Sequence, residues 1–248
     1  MAQEFDGFEV GDADLTNGDG AYWGGGAKAA NGSLVGNEAG IVFQGAFSAK
    51  LNWTAVSTGD TYCRRTPGAA TNTRYVQSKI RVEATGSNAT NQMHCMDNVT
   101  SVASVCRYDI VTIGSTYKIN VIFQRVAGST TLTGTTTLNM GQWYTLEVQY
   151  VSNNASTGGA AYWIGGVQEG SSFASDTTQA NSIPDRPSLG LNFANSTTGT
   201  IYFDNYINSD TYIGLLTGAD DIRPALRPWK TINPSRFDLL SKLDFPRI

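Results

Sequence analysis

A chain of 248 residues with 40% apolar content can bury one sizeable core, which excludes a disordered polypeptide. Lys and Arg number 17 against 21 Asp and Glu, and the formal net charge of −4 supplies no overall positive field for nucleic acid. Only 15% of residues are charged and 27 are glycine, a composition of strands and turns, and no apolar run reaches the ~18 residues that a bilayer span needs. Met1-Ala2-Gln3-Glu4 has neither the basic start nor the apolar stretch of a signal peptide, so the expectation is a chain neither exported by that route nor embedded in a membrane.

In chain order, the pattern predicts strands over residues 40–47, 50–56, 75–82, 102–113, 117–126, 130–138, 143–150, 160–164, 188–193 and 200–207. The clearest is 117–126, where Ile119, Val121 and Phe123 share one face and Lys118, Asn120, Ile122 and Gln124 the other. Val76, Ser78, Ile80 and Val82 alternate with Gln77, Lys79 and Arg81 in the same way, and Leu146, Val148 and Tyr150 point inward from a third segment. Clusters of Gly, Asn, Ser and Thr separate these runs. Many short strands without a convincing helix leave two packed antiparallel sheets or a closed barrel, and the sandwich is favoured. Cys63, Cys95 and Cys106 are not spaced as zinc ligands; they read as reduced core thiols, with a Cys95–Cys106 bridge as the alternative.

Phe8-Glu9-x-Gly11 followed by Trp23, then Gly141-Gln142-Trp143-Tyr144-Thr145-Leu146-Glu147-Val148, Ala161-Tyr162-Trp163-Ile164-Gly165-Gly166 and Gly199-Thr200-Ile201-Tyr202-Phe203-Asp204-Asn205-Tyr206, resemble the concanavalin-like (laminin-G-like) jelly roll over residues 5–214. The resemblance implies a two-sheet all-β antiparallel jelly-roll sandwich. The Trp143-Tyr144 strand would lie at its centre, an apolar-Gly hairpin tip would follow, and the first and last strands would pair at an edge. It also implies a possible structural calcium held by Glu9 and Asp204. The fold hosts lectins, lyases, glucanases, adhesion domains and phage virion proteins, so it fixes no chemistry.

Glu4-Phe5-Asp6-Gly7-Phe8-Glu9 matches the letters of a glucanase carboxylate motif, but a two-residue period places Glu9 opposite Glu4 and Asp6. Gln92-Met93-His94 resembles one element of alginate lyases, whereas the other elements match poorly, and His94 is the sole histidine. Sugar binding without catalysis would need exposed rings, for which Tyr22, Trp23, Trp53, Tyr62, Tyr162 and Trp163 are the candidates, although burial is the default for each. Arg64-Arg65 could meet an acidic partner or simply be solvated.

Beyond Gly218 there is no glycine, and Pro224, Pro228, Pro234 and Pro246 punctuate a basic stretch. The chain therefore divides into a jelly roll over 1–217 and a Pro-rich extended arm over 218–248. Leu226, Arg227 and Trp229 read as docking anchors, and Phe237, Leu240 and Leu243 as the stripe of a short helix. The arm would fold back on the sandwich, dock on a neighbouring subunit or stay disordered.

With no catalytic constellation legible, the expectation is a non-enzymatic structural subunit of a virion. It would be a phage capsid decoration or cement protein forming homo-oligomers and bound through its arm to other shell proteins, with no cofactor, nucleic acid or membrane. The alternative is a lectin-like module for a cell-surface glycan, and third comes a polysaccharide hydrolase or lyase.

Overall fold

The computed structural model describes residues 4–6, 8, 14–17, 23–54, 60–65, 71–86, 89–98, 104–153, 157–174, 177, 183–196 and 198–215. The chain divides into two units, Met1–Leu215 and Leu216–Ile248. The expected docking residues Leu226, Arg227, Trp229, Phe237, Leu240 and Leu243 lie outside the described residues, as do Glu9 and Tyr22.

In chain order the strands are β1 (Glu4–Asp6), β2 (Trp23–Ala27), β3 (Gly32–Glu38), β4 (Ser48–Trp53), β5 (Thr61–Arg65), β6 (Thr73–Thr85), β7 (Thr90–Asp97) and β8 (Ser104–Ile113). They continue with β9 (Thr116–Arg125), β10 (Gly128–Leu132), β11 (Leu138–Asn139), β12 (Tyr144–Val151), β13 (Gly159–Ile164), β14 (Val167–Ser172), β15 (Arg186–Phe193) and β16 (Gly199–Ser209). One short 3₁₀ turn at Leu15–Asn17 is the only helical element among the described residues. Sheet I runs β14-β13-β12-β6-β16-β4-β3 with β1 also on β16, and sheet II runs β10-β9-β8-β7-β15-β5-β2 with β11 also on β9. All pairs are antiparallel, so the chain is the two-sheet sandwich that its pattern implied, of the jelly-roll kind that the resemblance implied.

The period-two segments supply the core as expected. Ile119, Val121 and Phe123 are fully buried from sheet II, and Ile80, Val82, Leu146, Val148 and Tyr150 meet them from sheet I. Each such aliphatic or Phe side chain contributes about 1.5–3 kcal/mol on leaving water. The Tyr162 hydroxyl donates to the Ile119 carbonyl at 3.0 Å, a polar stitch between the two layers. Cys63, Cys95 and Cys106 are free buried thiols, and a hydrogen bond with Cys106 together with burial pushes Cys95 well up. The hairpin between β13 and β14 turns on Gly165 and Gly166 at φ 58° and 79°, a left-handed pair that fits the twist of the strands.

The structure departs from expectation in three places. Residues 40–47 form bends rather than a strand, because the Asp204 carboxylate takes the Phe43 and Gln44 amides at 3.0 and 3.1 Å and withdraws them from any ladder. The predicted 130–138 strand is split into β10 and β11, since Glu169 accepts from the amides and hydroxyls of both Thr135 and Thr136. The first and last strands do pair, but not at a sheet edge: β6 lines one side of β16, and β4 and then β1 share the other.

Sheet I is covered on its outer face by its own chain. Lys79 reaches Thr145 Oγ1 at 2.9 Å and lies 4.3 Å from the Phe43 ring centroid. Glu147 accepts from Gln77 Nε2 and from the Ile213 and Gly214 amides at 2.9–3.1 Å, fastening the 210–215 segment down. Trp143 packs edge-on against Phe43 at 5.9 Å in this cover and not at the sandwich centre.

Candidate functional site

With one outer face so occupied, the concentration of polar groups on the other sheet is the place to look for chemistry. Tyr62 on β5 and His94 on β7 are both register partners of Gly190 on the intervening β15. Two strand spacings, roughly 9–10 Å, separate their backbones, too far for most side chains to touch. Gly190 leaves that gap empty, and the two rings stack across it with centroids 4.2 Å apart and planes at 37°. A side chain is excluded at Gly190 by its φ of 131° and by the Thr61 carbonyl, 2.4 Å from where a Cβ would stand.

Asp97, 1% exposed, accepts from His94 Nδ1 at 3.2 Å. A carboxylate at Nδ1 selects the tautomer that carries a proton there and has its lone pair on Nε2. That Nε2 is buried without a hydrogen-bond partner among the described residues; the nearest carboxylate is Asp60, 3.9 Å away. Burial pushes the Asp60 carboxyl above its ordinary value, opposed by His94 and reinforced by Asp97. Burial also raises the Tyr62 phenol; Arg64 and Arg186 pull against that shift, and Asp97 and Asp60 add to it. The phenol therefore keeps its proton at neutral pH.

Arginines surround this group. The Arg64 guanidinium stands 5.6 Å from the Tyr62 ring centroid, Arg186 is the register partner of Asp97, and Arg107 on β8 is the register partner of His94. Arg64 Nη1, Arg186 Nε and Arg107 Nε are each buried without a hydrogen-bond acceptor among the described residues. Guanidinium nitrogens and an imidazole nitrogen without hydrogen-bond partners among the described residues, with a phenol beside them, are groups whose chemistry suits an anion.

Of the six aromatic candidates from the sequence, only Tyr62 joins this cluster, and it does so as a buried phenol at 3% exposure. Trp23, Trp53 and Tyr162 are core residues at 0–1% exposure and offer no face to a sugar. Trp163 packs against Tyr212 at 5.2 Å on the opposite sheet. Asp204 accepts from the Phe43 and Gln44 amides and, at 2.7 Å, from the Asn205 amide, while Glu9, the other residue of the expected calcium pair, lies outside the described residues. Glu4 and Asp6 lie on β1 paired with β16, in the opposite sheet from the cluster. The cluster escaped sequence reasoning because its members come from four strands between residues 60 and 186. Only Gln92-Met93-His94 and Arg64 signalled it.

No protein-family profile and no curated protein matches the chain. Solved structures do share its fold. The endo-β-1,4-glucuronan lyase of the fungus Trichoderma reesei is similar over 81% of this chain and 94% of its own, at a TM-score of 0.57 and 15% identity. The cellulose-induced protein Cip1 is similar over 86% and 100%, at 0.55 and 17%. The alginate lyase Aly36B is similar over 87% and 98%, at 0.53 and 11%. At these identities the likeness establishes the β-sandwich class and nothing finer.

The expectation of a non-enzymatic virion subunit is corrected by these findings. The neighbours in fold space include polysaccharide lyases, and Tyr62, His94 and Asp97 come together with arginines where no such grouping was legible in the sequence.

Proposed function

We propose that the chain is a carbohydrate-active protein that binds a uronate-containing polysaccharide across the outer face of sheet II and cleaves it by β-elimination. The observation that carries this reading is the His94 Nε2 atom, buried without a hydrogen-bond partner among the described residues while Asp97 holds Nδ1, with the Tyr62 ring stacked on the same imidazole. The glucuronan and alginate lyases that share the fold support it.

Elimination from a uronate needs three things: relief of the carboxylate charge, a base for the proton at C5, and an acid for the leaving oxygen at C4. The unpaired nitrogens of Arg64, Arg186 and Arg107 suit the first, because an enolate-like charge developing on the carboxylate is stabilised by donors already in place. His94 Nε2 takes the C5 proton, the C4–C5 double bond forms as the C4–O bond breaks, and Tyr62, kept protonated by burial, donates to the departing oxygen. Each proton-transfer group contributes about 10²–10⁴-fold in such steps.

The test is incubation with oligoglucuronate, oligoalginate and an uncharged glucan, reading unsaturated products by near-ultraviolet absorbance and mass. Cleavage of a uronate chain without addition of water, lost in His94→Gln and Tyr62→Phe, is the expected result; hydrolytic products or cleavage of the uncharged glucan alone refute it. A second reading, a glycan-binding module without catalysis, is favoured by the 3% exposure of both Tyr62 and His94. Saturable binding without product, sensitive to Arg64→Gln and Arg107→Gln, selects it.

A further inference from the structure

Arg107 and Asp109 project from the same face of β8, two residues apart, and they form an incomplete ion pair. Arg107 Nε and Asp109 Oδ1 are 3.8 Å apart, beyond hydrogen-bond length, and each atom is buried without a hydrogen-bond partner among the described residues. The Arg107 side chain as a whole keeps 28% exposure and that of Asp109 13%, but the two facing atoms have lost hydration without the full contact energy in return. Such a pair is easily divided by a better anion.

The neighbouring strands set the following groups beside the pair. From β7, Gln92 is the register partner of Asp109 and His94 that of Arg107; from β9, Asn120 opposes Asp109, and Ile122 opposes Arg107. The Asn120 side-chain Oδ1 accepts from the Gly134 amide. Lys118 on β9 lies one step further along, opposite Val111. His94, Arg107 and Lys118 are therefore the titratable or charged groups that face this carboxyl among the described residues. Burial pushes Asp109 up to about 6 against the pull of Arg107.

We infer that Asp109 is a proton-operated competitor for Arg107: ionised, it occupies the guanidinium, and protonated, it releases Arg107 to the carboxylate of a bound acidic glycan, so that capture of the glycan takes up a proton. This rests on the reading of sheet II as an acidic-glycan site and adds how that site is regulated. An anion arriving beside Asp109 raises its proton affinity further, and by linkage the affinity for that anion must fall as pH rises through the titration of Asp109. A proton-coupled site of this kind favours polyuronates in acidic surroundings and discriminates against uncharged glucans at every pH.

The experiment uses the full chain with His94→Gln as the background, which removes cleavage of the ligand. Calorimetric titration with a purified β-1,4-linked oligoglucuronate, at about pH 5 and about pH 7.5 and in buffers of different ionisation enthalpy, gives affinity and proton uptake together. The expected result is binding on the order of tenfold tighter at the lower pH, with roughly half a proton taken up per glycan near pH 6.5. Adding Asp109→Asn flattens the pH response to within about twofold and abolishes the uptake. In a Tyr62→Phe background, which also removes cleavage, Asp109→Asn lowers the uptake by the same amount, so the result does not depend on the change at His94. A pH response and proton uptake unchanged by Asp109→Asn overturn this inference alone, whereas absence of oligoglucuronate binding at either pH overturns the acidic-glycan reading as well.

Discussion

Asp204→Ala is the perturbation whose outcome follows most directly from the geometry. Asp204 is fully buried and accepts from three backbone amides, Phe43 at 3.0 Å, Gln44 at 3.1 Å and Asn205 at 2.7 Å. Hydrogen bonds to a charged acceptor contribute about 1.5–3 kcal/mol each, but Phe43 is 39% exposed, so water recovers much of what the two loop amides lose. The buried Asn205 amide recovers little, and its residue also holds a left-handed φ of 47°. A net loss of about 3 kcal/mol is expected, which for a domain of this size lowers Tm by roughly 6–12 °C. Thermal unfolding by circular dichroism reads the shift, and hydrogen exchange at the Phe43 and Gln44 amides should accelerate before global unfolding. A chelator should leave the Tm of the unaltered protein unmoved. Two results would refute the reasoning: a Tm change of less than about 2 °C in Asp204→Ala with the two amides still protected, or a fall in Tm on chelation.

Three further outcomes are expected. Gly190→Ala meets the Thr61 carbonyl and a left-handed φ, and should cost at least ~2 kcal/mol while weakening the near-ultraviolet dichroism of the Tyr62 ring. Asp109→Asn should stabilise the fold at neutral pH: the folded carboxyl holds its proton up to about 6 and the unfolded one only to its ordinary value near 3.8, so stability falls as pH rises between those values. The gain, at most about 2–3 kcal/mol after allowing for partial solvent screening, is present by pH 7 and vanishes near pH 4; equal denaturation midpoints at both pH values would contradict it. Asp97→Asn keeps the shape beside His94 but can present an N–H to Nδ1, so any elimination activity should drop about 10²–10⁴-fold with Kd for oligoglucuronate little changed, and a loss confined to KM would speak against the assigned tautomer.

The layers of this sandwich were legible because a half-buried strand writes its two faces into alternate residues. Ile119, Val121 and Phe123 are fully buried, as their spacing demanded. Lys79 and Gln77 broke the pattern: they occupy the outward positions and yet are 8% and 2% exposed, because distant segments fold over them. No local period encodes that cover. Trp23-Gly24-Gly25-Gly26-Ala27 becomes strand β2 despite its glycines because β5 pairs with it, a tertiary override of weak propensity. The site was the least legible part. Its His94 was visible, but Tyr62, Asp97, Arg107 and Arg186 acquire meaning only through register across β5, β15, β7 and β8, and the glycine that lets two of them meet looked like any other of the 27.

The placement of β16 bears on how the chain reaches this state. Residues 199–209 fill the slot between β6 on one flank and β4 with β1 on the other, so sheet I is two separate half-sheets until nearly the whole polypeptide has left the ribosome. Closure joins residue 5 to residue 207, a long-range pairing whose loop entropy makes nucleation slow. During that interval the flanks of β4 and β6 are bare ladders open to pairing with another nascent copy. Expression yield should therefore depend on how quickly the last strand is delivered, and truncations that stop short of residue 199 should accumulate as aggregates rather than as smaller folded cores.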